Sequence, residues 1–176
     1  NVYNNYGVAV NGFNIGSCQF SLHYFFKNSR TFHNFLKNIS ETIKVDGYFI
    51  GTCFDGKTVF DKLSSKTIDS GFVIMQGKYK MFEIIKLYQE TGFPDDHNSL
   101  NYPINVYQES INQYFREYLV NFDYFVQIME DYGFTLITQE EANNLGAFKP
   151  TALFSEYYKY AKNDSILSEN YNKQYN

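Results

Sequence analysis

The 176-residue sequence predicts an α/β fold, on three observations. Two apolar-leaning runs, 13–19 and 48–54, flank a stretch carrying a single apolar stripe at helical spacing, the pattern of a strand–helix–strand unit with parallel strands. Between 64 and 120, short runs of strand composition alternate with breaks marked by Gly and Pro, the pattern of hairpins. From 121 onward helical spacing returns.

Each element follows from its residues. Residues 1–12, polar and rich in Asn and Gly, are expected to be loop. Phe13–Gln19 reads as a buried strand whose polar end opens into a site. Phe32, Phe35, Leu36, Ile39 and Ile43 form one stripe, giving a helix over Ser29–Ile43 with Asn28 or Ser29 as its cap and Asp46-Gly47 as its stop. Tyr48–Phe54 reads as a second buried strand and Thr58–Leu63 as a short helix, completing a βαβ unit over 13–63. Residues 71–76 and 81–88, split by Gly77-Lys78, predict a hairpin. A loop follows at 89–103, then strands at 104–108 and 114–120, so 64–120 is a hairpin-rich insert. Phe122, Phe125, Val126 and Met129 predict a helix ended by Gly133. A strand at Phe134–Thr138 and a Tyr-rich helix at 151–162 complete a helix–strand–helix segment over 121–162, and 163–176 reads as a flexible tail.

Composition bounds the function. The chain has 17 Tyr, 18 Phe, 19 Asn and 13 Lys but only 2 Arg, a bias that AT-rich codons produce without any chemistry. A net charge of −4 is not that of a general nucleic-acid binder, so any such contact is expected to be local, at one end or one base. No stretch approaches the ~18 apolar residues of a membrane helix. Cys18 and Cys53 are too few and too far apart for a disulfide framework or a zinc site, and His23, His33 and His97 form no ligating pair. The expectation is a protein without metal or membrane partner, in a reducing intracellular compartment.

The segment Ser17–Phe26 carries the chemistry. It lies at the carboxyl end of a strand, where open α/β sheets bind ligands. Gln19 offers a donor and an acceptor, Phe20 and Tyr24 flat faces, and His23 a hydrogen bond without charge at neutral pH. Each has a plainer reading: His23 as a satisfied structural histidine, the aromatics as core, and Gln19 as a turn cap. Glu117 reads equally as an exposed strand carboxylate paired with Arg116 or a Lys.

Ser17-Cys-Gln-Phe-Ser-Leu-His-Tyr24, the following helix and Gly47-Tyr-Phe-Ile-Gly-Thr52 resemble the mRNA cap guanine-N7 methyltransferase family. The likeness extends through Asp55-Gly-Lys57, Phe115–Val120 and Phe122–Thr138, about three quarters of the chain. It implies a class I S-adenosylmethionine-dependent methyltransferase fold, Rossmann-like, with the hairpin region inserted. It also implies the site: Gln19, Phe20 and Tyr24 toward the methyl donor S-adenosylmethionine, with His23 and Glu117 toward the cap guanine at the 5′ end of mRNA. No residue is implied as a general base. The sequence departs from the family at Asp46, where a Gly is usual, and at Phe54, where a Pro is usual. The family's glycine-rich donor loop, its ribose-binding acidic residue and its final strand are not recognisable, so the chain reads as the second half of a catalytic domain. It is expected to bind donor weakly by itself, and to pair with the missing half or with a capping subunit. A virus with a multifunctional capping enzyme suits the departures, placing the protein in a virion or cytoplasmic factory; a cellular enzyme would be nuclear. The rival reading is a catalytically inactive methyltransferase-like module that binds or stimulates a capping partner.

Overall fold

Two sheets of different kinds divide the strands. The protein is seen here as a computed structural model that describes residues 9–163. The chain forms two compact units, 1–134 and 135–176. In the first, β1 (Phe13–Gln19) and β2 (Ile43–Thr52) pair in parallel, joined by a 3₁₀ turn (Leu22–Lys27) and α1 (Ser29–Thr42). Next come α2 (Gly56–Leu63) and an antiparallel meander of β3 (Gly71–Gln76), β4 (Tyr79–Lys86), β5 (Pro103–Gln108) and β6 (Gln113–Tyr118), in spatial order 3-4-5-6. A short 3₁₀ turn at His97–Ser99 interrupts the loop before β5, and α3 (Phe122–Asp131) closes the unit. The parallel pair and the hairpin region lie at the stretches the sequence indicated.

The helix α1 begins where Asn28 Oδ1 accepts from the Thr31 N–H at 2.9 Å. Its stripe of Phe32, Phe35 and Leu36 is buried against Leu22, Phe26, Phe125 and Met129. Phe26, Phe32 and Leu36 are fully buried, each stabilising the fold by roughly 1.5–3 kcal/mol. A second core joins Val59 and Leu63 of α2 to Ile84, Ile104 and Val106 of the meander. Gly56 is required at the start of α2: a Cβ there would lie 2.2 Å from the Val120 carbonyl oxygen.

Several expectations are corrected. The helix ends at Thr42, and Ile43 already pairs with Phe13. Asp46-Gly47 is therefore no helix stop. It is a bulge within β2, where the register slips and Asp46 adopts a left-handed φ of 62°, which Asp tolerates. The parallel strands are not buried: Cys18 is buried, whereas Ile15 and Ile50 are 57% and 50% exposed. Alternation turns Cys18 and Phe49 toward α1 and turns Ile15, Tyr48 and Ile50 the other way, where no described residue covers them. Phe134–Thr138 has no ladder partner among the described residues and is not a strand.

Gly133 does end α3, at φ 84°, with the Gly133 N–H on the Glu130 carbonyl and the Phe134 N–H on that of Met129, a Schellman closure. In the second unit, α4 (Gln139–Asn144) was not foreseen. Thr138 and Glu141 cap it reciprocally, a Thr-x-x-Glu signature visible in the sequence. The Tyr-rich helix α5 spans Phe154–Asn163, with Tyr160 stacked on Phe148 at 4.6 Å. Of the two terminal calls, loop at 1–12 and flexible tail at 163–176, residues 1–8 and 164–176 lie outside the described residues, and Asn163 ends α5.

Asn121 ties the long loop to α3. Its Oδ1 accepts from the Tyr124 N–H at 3.0 Å, while Nδ2 donates to the Pro94 carbonyl and Asp95 Oδ1, both at 2.9 Å, with the residue fully buried. Asn121→Ala removes a helix cap and leaves the buried Tyr124 N–H without its acceptor. Denaturant unfolding should show a loss of about 2–4 kcal/mol; an unchanged midpoint would mean that water replaces the amide.

Candidate functional site

The end of β1 is bent sharply by Phe20, a non-glycine residue at φ 49°. Its N–H reaches both the carbonyl and Oγ1 of Thr52 at 3.0 Å, which holds the strained backbone while the ring stays 58% exposed. The 3₁₀ turn that follows drives Leu22 and Phe26 into the core and packs against β6. That packing sets His23 over Glu117, with Nε2 3.6 Å from Oε2.

Glu117 is buried because β6 alternates. Glu117 and Phe115 share the meander's inner face with their partners Ile104 and Val106, whereas Arg116 points outward and donates to Asn105 Oδ1. The exposed pairing of Glu117 with Arg116 is thereby overturned, and His23 is not the hydrogen-bond-satisfied histidine of the plainer reading. Both side chains are over 90% buried, yet neither ring nitrogen nor Glu117 Oε2 has a hydrogen-bond partner among the described residues.

Phe20, Tyr24, Val106, Ile111 and Phe115 wall a cavity of about 220 Å³, with Gln108 and Glu117 as further lining. Three of the five site residues singled out in the sequence, Phe20, Tyr24 and Glu117, thus face one space, with His23 against its carboxylate. Gln19 does not. It lies exposed on the outward face of the parallel pair, with its amide donating to Ser17 Oγ at 3.0 Å. Gln108 and Phe115 escaped the reading, although period-two alternation from Ile104 and Glu117 points to both.

Burial decides the charge of the pair. It raises the Glu117 carboxyl to about 7 and lowers the His23 imidazole to about 4. At 3.6 Å the two are beyond hydrogen-bond reach, so desolvation outweighs their attraction and the free site is neutral through mildly acid pH. Burial and the nearby Glu117 charge both raise the Tyr24 phenol, keeping it neutral as well.

The mixed arrangement of sheets and helices is consistent with a methyltransferase domain. The sequence profile of the mRNA (guanine-N(7))-methyltransferase domain matches residues 2–167, and the chain belongs to that family. It is 33% identical over 153 residues to the "Probable mRNA-capping enzyme" of Acanthamoeba polyphaga mimivirus, covering 83% of this chain and 12% of that protein. It is 26% identical over 162 residues to the "mRNA cap guanine-N(7) methyltransferase" of Candida glabrata, covering 78% of this chain and 34% of that one. The chain therefore spans about a third or less of either relative's length.

The two shifts act oppositely on stability. Glu117, raised from 4.5 to about 7, contributes stability that is full below 4.5 and is lost as pH rises through 7. His23, lowered from 6.5 to about 4, contributes stability present above 6.5 and lost as pH falls through 4. Between these limits the contributions offset one another in the intact pair. Glu117→Gln should leave only the histidine's effect, so that stability rises with pH between about 4 and 6.5. His23→Gln should give a fall between about 4.5 and 7. Denaturant midpoints across pH read this, and identical profiles for the two variants would contradict it.

Proposed function

We propose that the protein transfers the methyl group of S-adenosylmethionine to N7 of the guanosine cap of mRNA, on a class I, Rossmann-like methyltransferase fold. The observation that carries this reading is Glu117 Oε2, a buried acceptor with no hydrogen-bond partner among the described residues, lining a base-sized aromatic cavity. Parallel β1 and β2 joined through α1, with the candidate residues at their carboxyl ends, support the fold.

The chemistry needs little beyond fit. Guanine N7 carries its lone pair outward and has no proton to lose, so no side chain has to serve as base. Bound S-adenosylmethionine supplies an activated methyl on a sulfonium. Glu117 accepts from guanine N1–H and the exocyclic amine, a donor pair that adenine lacks, and an unpaired carboxylate penalises other bases. The ionised carboxylate also favours the positive charge that builds on the methylated ring. His23 stays neutral beside it and does not oppose that charge. Tyr24 and Phe20 offer ring faces to the base, and Phe20, exposed between cavity and strand end, lies between the two ligands. The exposed amide of Gln19 and the Phe20 and Tyr24 rings suit the adenine end of the donor.

Partners follow from the same reading: the capped mRNA 5′ end, and further strands of the same domain or a capping subunit against Ile15, Tyr48 and Ile50. The compartment is intracellular and reducing.

Glu117→Gln tests the reading in the protein at its natural length. The substitution sets an amide donor against a guanine donor and removes the charge. With a buried charged hydrogen bond contributing about 1.5–3 kcal/mol, methyl transfer to a cap analogue should fall at least about tenfold. Donor affinity, titrated separately, should hold. In the intact site the carboxylate must ionise to accept both donors, so cap affinity should rise with pH up to about 7 and level off, while Glu117→Gln gives a flat profile. Full activity in the variant would return Glu117 to a structural role. Binding of cap and donor without any transfer would identify the inactive partner module.

A further inference from the structure

One polar side chain in the cavity is left without a task. Gln108 ends β5, half-buried, and its side-chain amide has no hydrogen-bond partner among the described residues. It stands on the face of Val106 and Glu117, since Glu117 pairs with Ile104 and Gln108 lies two alternations further along the same strand. At about 3.4 Å per residue, the backbone of Gln108 is roughly 14 Å from that of Ile104, opposite the carboxylate. The turn that follows places Ile111, 49% exposed, in the same wall. Glu117 is therefore the buried end of the cavity, and Gln108 and Ile111, with the exposed Phe20 ring, lie at its mouth.

A cavity of about 220 Å³ is smaller than the ~300 Å³ at which drug-sized pockets begin. It suits a base and not a dinucleotide. With the N1–H and amine edge on Glu117, the ribose of the same nucleoside points away from the carboxylate, toward the mouth. We propose that Gln108 holds the ribose of the methyl-accepting guanosine through its 2′- and 3′-hydroxyls, an inference that rests on the guanine reading of Glu117. A hydroxyl both donates and accepts, as a carboxamide does. Phosphate oxygens only accept and are ordinarily met by Arg or Lys, and neither type lines this cavity. The matched chemistry is the sugar's, and the phosphate chain passes outside.

The test measures KM and kcat for N7 transfer, in the protein at its natural length. The substrates are GpppG-capped RNA and the same RNA whose accepting guanosine is 2′,3′-dideoxy. The intact protein should show KM at least about fivefold higher on the dideoxy cap, the loss of one or both neutral hydrogen bonds. Gln108→Leu should raise KM about fivefold on the ribose cap and no further on the dideoxy cap, with kcat nearly unchanged. Gln108→Glu, which keeps the shape and one acceptor, should fall between. Equal loss by Gln108→Leu on both caps would assign Gln108 to packing and overturn the proposal. Indifference of the intact protein to the hydroxyls overturns it without any variant. Absence of transfer to any cap guanine would overturn the reading of Glu117, and this one with it, whereas normal transfer with additive losses overturns the ribose contact alone.

Discussion

The packing of the 3₁₀ turn Leu22–Lys27 onto β6 is what the rest of the structure serves. That contact covers a carboxylate and an imidazole at once, and each group resists it. The resistance appears as shifted ionisation: a carboxyl that keeps its proton to near neutrality and a histidine that refuses one. Among the described residues nothing local offsets the cost, since neither ring nitrogen nor Glu117 Oε2 is hydrogen-bonded there. The offset comes from the apolar residues of the same turn. Leu22 and Phe26 enter a core shared with α1 and α3, and Phe26 is fully buried there. The turn cannot lift off Glu117 without withdrawing them.

The bend at Phe20 is part of the same arrangement. A left-handed φ at a bulky residue costs on the order of 1–3 kcal/mol and persists where neighbours over-determine it. Thr52 does so, holding the Phe20 N–H with two oxygens. The result is a ring, 58% exposed, whose place at the cavity wall is set by its backbone.

Much of this was legible in the sequence, for identifiable reasons. The helix α1 and the meander follow from periodicity, because their apolar faces are buried within the chain itself. The burial of β1 and β2 was not legible, because local patterning does not say what lies across a parallel sheet's second face, and here Ile15 and Ile50 meet no described residue. Phe134–Thr138 failed for a related reason: strand composition makes no strand without a ladder partner. In the site, Phe20, His23, Tyr24 and Glu117 came from motif resemblance. The closeness of His23 to Glu117 spans 94 positions in sequence, and no local rule brings such residues together. Gln19 does not face the cavity, because the alternation of β1 turns it away with Ile15.

The two sheets also differ in how far the chain must travel to make them. The meander is built of neighbours in sequence, with short turns between β3 and β4 and between β5 and β6 and the longer stretch 87–102 between β4 and β5. The parallel pair joins Gln19 to Thr52 across the whole of α1. Loop closure of that length is slower than hairpin formation, so the meander forms early and the parallel pair late. Glu117 rides on the early sheet and His23 hangs from the end of the late one. During folding the carboxylate is consequently wet and charged until the last large event, and the site comes into being in the step that first hides it from water.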